Sequence, residues 1–376
     1  MWAVGLQKCI NKRNHYDSTN IHEDNPIVKS VFFGGGTPSI LKADYIHEIL
    51  SSLKKNFTFA DDVEMTMECN PGTLTREKLQ IYKKSGINRI SLGLQSTVND
   101  ELKELGRIHT YEDFLESFRL VREEGFTNVN IDIMAALPGQ TTKSYKKTLE
   151  RVVSLNPEHI SAYSLIIEEG TPFYERYHKE DDERSRYGSS CDGPDTFFSN
   201  KHLPDEDTER AMYTLTEEIL RQYGYGRYEI SNYSKPGYEC RHNKFYWNGT
   251  SYIGFGIGAA SYYKNTRSSN IESFDDYCNR LKDGGNSLCQ IKKERTTLTK
   301  KEQMEEFMFL GLRMMEGVSL QDFEERFLCS YSSVYGEVTG RLMNLSFVEE
   351  ADGYIRLTKE GIDVSNYVMG EFLLDS

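Results

Sequence analysis

The sequence predicts an α/β fold, a parallel sheet with helices outside it, followed by a small α+β domain. Three observations carry that expectation. From about residue 30 to 170, runs rich in β-branched and aromatic residues alternate with segments of helical periodicity. One such run enters three consecutive glycines, in Ser30-Val31-Phe32-Phe33-Gly34-Gly35-Gly36-Thr37-Pro38-Ser39. After Thr296 the alternation stops, and short helical segments lead into one hairpin-like run.

In chain order, strands are expected at Val31–Phe33, Val63–Glu68, Arg89–Leu94, Val129–Met134 and His159–Leu165. Helices are expected between them at Ala43–Asn56, Thr75–Ser85, Tyr111–Glu124 and Thr142–Ser154. On the third of these helices Leu115, Phe118 and Val121 mark the packed side. Asp113, Glu116, Arg119 and Arg122 mark the solvated side. The stretch Glu180–Asn200, charged and then Ser/Gly-rich, reads as an exposed insertion. Helical periodicity resumes at Asp207–Tyr223, and an aromatic, glycine-dense segment runs from Tyr225 to Tyr263. Helices at Lys300–Met315, Ser319–Phe327 and Val334–Leu345 precede a hairpin turning at Asp352-Gly353. The expected division is a core over 1–175, an insertion over 176–206, a continuation of the core over 207–295, and a winged-helix-like domain over 296–376.

A chain of 376 residues with 38% hydrophobic and 12% aromatic content can bury a substantial core. A formal net charge of −13 argues against a nucleic-acid partner held through its phosphates. The first residues carry no apolar stretch of signal-peptide length, and no run of about 18 apolar residues exists. A cytoplasmic protein without a transmembrane segment is expected, which leaves peripheral membrane contact open. The seven cysteines, Cys9, Cys69, Cys191, Cys240, Cys278, Cys289 and Cys329, are scattered. None lies at the close spacing of zinc or iron–sulfur ligands.

The chemistry gathers at the strand ends. After the glycine turn come Glu68-Cys69-Asn70-Pro71-Gly72, then Ser91-Leu92-Gly93-Leu94-Gln95-Ser96, then Asp132 in the next strand, and Tyr163-Ser164-Leu165 in the last. In parallel βα folds ligands sit at the carboxyl ends of the strands. Glu68, Gln95, Arg107 and Asp132 can therefore meet around one ligand. Their chemistry suits an amino acid joined to a nucleoside: carboxylates for an ammonium and ribose hydroxyls, an arginine for a carboxylate. Taken singly, each residue reads equally well as a buried polar cap on a strand.

Phe-Phe-Gly-Gly-Gly-Thr-Pro-Ser, Glu-Cys-Asn-Pro-Gly, Arg89-Ile90-Ser91-Leu92-Gly93-Leu94-Gln95-Ser96, Leu105-Gly106-Arg107-Ile108-His109 and Asp132-Ile133-Met134-Ala135-Ala136-Leu137-Pro138-Gly139-Gln140 resemble successive motifs of one family. It is the radical S-adenosylmethionine family, in its oxygen-independent coproporphyrinogen III oxidase-like group and that group's heme-chaperone branch. The resemblance runs from about Ile27 to the end. It implies a partial TIM-like parallel barrel lacking its first strand. It also implies that Gly35, Gly36 and Thr37 contact the methionine part of S-adenosylmethionine, with Glu68, Gln95, Arg107 and Asp132 around the same cofactor.

Arg241-His242-Asn243-Lys244-Phe245-Tyr246-Trp247 resembles the branch's His-Asn-x-x-Tyr-Trp signature, which is associated with heme. His242, Asn243, Tyr246 and Trp247 are then the expected heme residues, with heme and heme-accepting proteins as partners. On the residues alone, Tyr246 and Trp247 read as core aromatics and His242 as a hydrogen-bonded surface histidine. Gly254-Phe255-Gly256-Ile257-Gly258-Ala259-Ala260-Ser261 resembles a further family motif, expected to approach the ligand through its backbone.

The family's Cys-x-x-x-Cys-x-x-Cys loop, whose thiolates hold a [4Fe–4S] cluster, does not occur in this sequence, and neither does its Tyr-x-His-Ile-Pro segment. Because the cofactor-side residues stand intact, the expected cause is a late coding start or a truncated gene. A relative that has lost radical chemistry is the alternative. Losing an edge strand would also leave Val31–Phe33 open on one side. The functional expectation is a heme chaperone. The alternatives are a coproporphyrinogen III oxidase-like oxidoreductase of porphyrin biosynthesis and a non-catalytic remnant that binds a partner protein.

Overall fold

The computed structural model describes residues 27–171, 173–177, 202–282 and 291–374. The expected insertion at Glu180–Asn200 lies outside them. The chain opens with β1 (Ile27–Phe33), α1 (Ala43–Asn56), β2 (Thr58–Cys69), α2 (Arg76–Ser85) and β3 (Arg89–Gln95). It continues with α3 (Asn99–Glu104), α4 (Tyr111–Glu123), β4 (Val129–Ala135), α5 (Thr142–Ser154) and β5 (His159–Ser164). These strands pair in sequence order and in parallel, as strand–helix alternation requires. Helix starts are set locally. Thr75, Thr110 and Thr141 each accept the backbone N–H three residues on, at about 1 kcal/mol per cap.

α6 (Glu206–Gln222) returns the chain to the sheet. The short strands β6 (Gly226–Glu229) and β7 (Asn232–Ser234) then extend that sheet antiparallel, giving a seven-stranded order β1-β2-β3-β4-β5-β7-β6. The 207–295 segment thus adds only these two strands to the expected barrel. After α7 (Arg241–Trp247), strands β8 (Ala260–Tyr263), β9 (Thr266–Asn270) and β10 (Lys292–Thr297) form their own antiparallel sheet, with α8 (Phe274–Lys282) between the last two. A tight Lys264-Asn265 turn, both residues at positive φ, pairs β8 with β9 locally instead of across the barrel.

Strand alternation gives the large sheet two unlike faces. Met65, Met67, Ile90, Leu92, Ile131, Ile133 and Ile160 are buried against α1, α2, α4 and α5 in the main core. The residues between them, Glu64, Thr66, Glu68, Arg89, Ser91, Asn130, Asp132, His159 and Ser161, line the other face. A sheet that curls around a polar face needs something to meet those groups. The candidate site lies there.

The last segment contains α9 (Lys300–Gly311), β11 (Val318–Ser319), α10 (Leu320–Phe327), α11 (Tyr331–Asn344), β12 (Val348–Ala351) and β13 (Tyr354–Leu357). Two short helices follow, α12 (Lys359–Asp363) and α13 (Ser365–Gly370). The β12–β13 hairpin turns at Asp352-Gly353, φ 54° and 81°, as expected for that dipeptide. With β11 the hairpin makes a three-stranded sheet over a second core of Met308, Leu312, Phe323, Phe327, Tyr335 and Phe372. This core docks onto the half-barrel. The Ile230 N–H donates to the Arg313 carbonyl and the Met315 N–H to the Tyr228 carbonyl, closing the β6 edge of the sheet.

Candidate functional site

The glycine turn after β1 is built for two different reasons. A Cβ at Gly34 would sit 2.7 Å from the Phe32 ring and 2.9 Å from the Glu68 carboxylate, so a side chain there would displace both of them. Gly35 and Gly36 have φ of 79° and 67°, and nothing among the described residues lies within 4 Å of where their Cβ atoms would be. Their backbone therefore faces open space. The Gly35 N–H donates to Glu68 Oε2 at 3.1 Å. Thr37 Oγ1 accepts from the Asn70 side chain at 3.0 Å, which ties this turn to the one after β2. Thr37-Pro38 begins only a 3-10 turn at Pro38–Ile40, and the α-helix starts at Ala43.

Gln95 closes β3 with φ 70°, where the pairing with β4 slips. Its amide folds back over Gly93, where a Cβ would meet Gln95 Nε2 at 3.2 Å. The Tyr163 hydroxyl donates to Gln95 Oε1 at 3.2 Å and so fixes that amide. Burial, with the Asp132 charge second, pushes the Tyr163 phenol up and keeps it a donor. Tyr163 is a site residue that the sequence placed at a strand end without giving it a role.

Asp132 is held by Asn130 Nδ2 at 2.7 Å and by the Ser91 hydroxyl at 3.1 Å. Burial raises its pKa, and burial followed by the Asp132 charge raises that of Glu68. Two carboxylates in one cleft, the charge of Asp132 raising the pKa of Glu68, are poised to accept from cationic or hydroxyl donors. Arg107 is half-buried and makes no ion pair among the described residues, while its charge reaches Tyr163. The structure thus brings Gly35, Gly36, Thr37, Glu68, Gln95, Arg107 and Asp132 to one end of the half-barrel.

His242, Asn243, Tyr246 and Trp247 lie on α7, which packs inside the same concave face. Glu64, buried on β2, accepts the backbone N–H groups of Arg241 at 3.0 Å and His242 at 3.1 Å. Arg241 also pairs with Asp62 at 2.8 Å. The His242 ring stacks on Phe32 at 4.8 Å, and its Nδ1 lies 2.9 Å from the Ser30 hydroxyl. Burial pushes its pKa down to about 4, so the imidazole is neutral at physiological pH. Its Nε2 has no partner among the described residues. Nor does the Asn243 side chain hydrogen-bond there. Phe32 links the two groups of residues: it carries His242 on one side and crowds Gly34 and Glu68 on the other.

Tyr246 meets His242 edge-on at 5.0 Å and is 37% exposed. Trp247 lies under the Arg313 guanidinium at 4.3 Å, and its indole N–H is buried without an acceptor among the described residues. Tyr246 is therefore not a core aromatic. Beneath α7, Arg89 is 2% exposed, and its Nε likewise has no acceptor there. The charges of Arg89 and of buried Glu64 both bear on Cys240 and His242. The Gly254–Ser261 motif is explained by the chain's own packing, since a Cβ at Gly254 would lie 2.0 Å from the Ala260 carbonyl oxygen.

Two family models match the chain, the radical SAM superfamily over residues 19–152 and the HemN C-terminal domain over 298–364. The heme chaperone HemW of Lactococcus lactis is 35% identical over 348 residues, covering 93% of this chain and 85% of that protein. HemW of Bacillus subtilis is 34% identical over 349 residues, covering 93% and 86%. The chain belongs to the HemW family of radical SAM proteins. In fold it matches coproporphyrinogen III oxidase (HemN) from Escherichia coli, a radical SAM enzyme, with a TM-score of 0.77 at 20% identity. That match covers 99% of this chain and 82% of that one.

The family implies S-adenosylmethionine and a [4Fe–4S] cluster. The strand-end residues fit the first: an open glycine backbone, two carboxylates and a guanidinium with no ion pair among the described residues. The described thiols do not fit the second. Cys69 and Cys240 are buried singly, with the Cys240 thiol pushed up to about 11 by burial, and no three-ligand group occurs among the described residues. No described helix is long and apolar enough to cross a membrane.

Proposed function

We propose that this chain is a heme chaperone, which binds heme at α7 and passes it to acceptor proteins. The observation that carries this reading is the state of His242. A metal-binding imidazole is oriented by a hydrogen bond from its other ring nitrogen. His242 has that arrangement, with Nδ1 set against Ser30 and a neutral ring whose Nε2 has no partner among the described residues. Tyr246 beside it offers a partly exposed aromatic surface to a porphyrin. One imidazole and aromatic contact, with no covalent bond, suit a cargo that must be released. The names of the HemW relatives agree with this reading.

S-adenosylmethionine would be held at the strand ends. Gly35, Gly36 and Thr37 would take its methionine part, and Arg107 would pair with its carboxylate. Glu68 and Asp132 would accept from its ammonium and ribose hydroxyls, with Gln95 set by Tyr163 beside them. With a reduced cluster this cofactor supplies radical chemistry, and no step of that kind is assigned to the described residues.

The test is an absorption titration with hemin, followed by transfer to apomyoglobin as a generic acceptor. The parent should bind hemin and surrender it, and His242→Ala should bind at least about tenfold more weakly. Equal affinities in parent and variant would remove His242 from the heme site.

A further inference from the structure

α7 has a second surface. At its carboxyl-terminal end a cavity of about 210 Å³ lies between α7, the β8–β9 sheet and α9, lined by Tyr246, Trp247, Tyr252, Tyr262, Leu310 and the Arg267–Glu306 pair. Tyr246 reaches Tyr252 at 4.4 Å and His242 at 5.0 Å, so the cavity begins one aromatic ring away from the imidazole. Complete ligand pockets run from about 300 Å³ upward, so this one takes the edge of a larger ligand.

Two polar features mark the kind of edge. The Trp247 indole N–H, on a cavity-lining residue, is buried without an acceptor among the described residues. Arg326 on α10 stands nearby, with Nη2 3.5 Å from the Tyr262 hydroxyl and Nη1 3.4 Å from where a Cβ of Gly249 would be. It is exposed and makes no ion pair among the described residues. Arg267, by contrast, is already engaged in two bonds to Glu306, at 2.7 and 2.8 Å. The Arg326 guanidinium lies over the Phe307 and Phe327 rings at 5.7 and 5.5 Å, which holds it in place while leaving its charge without a carboxylate among the described residues. An aromatic slot with an unsatisfied donor and such a guanidinium beside it fits a planar ring that carries a carboxylate.

Resting on the heme reading of His242, we propose that this cavity receives one propionate-bearing edge of the tetrapyrrole, its carboxylate paired with Arg326 and its ring edge against Tyr246 and Tyr252. The carboxyl-terminal helices are then part of the heme site, and release of the cargo includes breaking that pair. The shared chemistry is a ring carboxylate, so blocking the carboxylate isolates it.

The experiment titrates the full chain with hemin and with hemin dimethyl ester. The parent should bind hemin about tenfold more tightly than the ester, the weight of one charge-assisted bond at a partly wet site. Arg326→Gln, compared at matched melting temperature with Arg326→Lys because Arg326 also covers the Phe307 and Phe327 rings, should bind the two alike, at the parent's ester affinity, while the lysine variant keeps part of the preference. Tyr252→Leu should weaken both ligands together. If Arg326→Gln keeps the parent's preference, or the parent shows none, the proposal fails while the role of His242 stands. If the parent binds no hemin, the heme reading and this proposal fall together.

Discussion

The strand-end cluster and α7 share one concave face but satisfy their polar groups in opposite ways. At the strand ends the groups are arranged and, among the described residues, left open: Gly35 and Gly36 have no neighbour where a Cβ would be, Arg107 has no ion pair, and burial raises the pKa of both Glu68 and Asp132. On α7 most groups are already used by the fold. Glu64 takes two backbone N–H groups, Asp62 takes Arg241, Ser30 and Phe32 hold His242, and Arg313 covers Trp247. The difference separates a surface prepared for a ligand from an element that plugs the half-barrel and offers only Nε2, Tyr246 and its carboxyl-terminal end. Changes on α7 should therefore appear first in stability, and changes at the strand ends first in ligand affinity.

The largest expected effect is at Glu64. Glu64→Ala uncovers two backbone donors and leaves buried Arg89 with less compensating charge, costing about 3 kcal/mol in a denaturant titration. A loss under 1 kcal/mol would mean that α7 is not held as described.

Next comes His242, read through pH. Its folded pKa of about 4 lies below the unfolded value of 6.5, so the unfolded chain takes the proton first. Its contribution is complete above pH 6.5 and is lost as the pH falls toward 4, on the order of 3 kcal/mol. His242→Phe should flatten the melting-temperature profile across that window. An unchanged slope would place the titration elsewhere.

The strand ends should behave in the reverse way. Arg107→Met should weaken binding of S-adenosylmethionine by about tenfold or more with no change in melting temperature. Tyr163→Phe, which frees the Gln95 amide but keeps the ring, should cost about fivefold. If either variant loses stability instead, the contrast between the two regions is wrong.

What was legible in the sequence follows the same division. Ala43–Asn56 and Thr142–Ser154 begin and end as their periodicity indicates, and the glycine turn, Glu68, Gln95 and Asp132 fall at strand ends because βα order fixes them locally. Arg107 adds its charge to the same end. Glu64, Ser30, Arg89 and Arg313 read as ordinary strand or loop residues, because their partners lie far along the chain, as in Ser30 to His242 or Glu64 to Arg241. One signal was available. Glu64, Thr66 and Glu68 alternate with Met65, Met67 and Cys69 on a single strand, which marks a polar inner face before any contact is seen. The second surface of α7 had no such signal, because Tyr252, Tyr262 and Arg326 come from separate segments that only the docking of the carboxyl-terminal domain brings together.

The central claim is that His242 binds heme iron and does not merely pack on Phe32. Low-temperature electron paramagnetic resonance of the ferric hemin complex tests it most directly. The parent should show an imidazole-ligated spectrum, His242→Ala should lose it, and added free imidazole should restore it. Identical spectra for parent and variant, with no response to imidazole, would contradict the account.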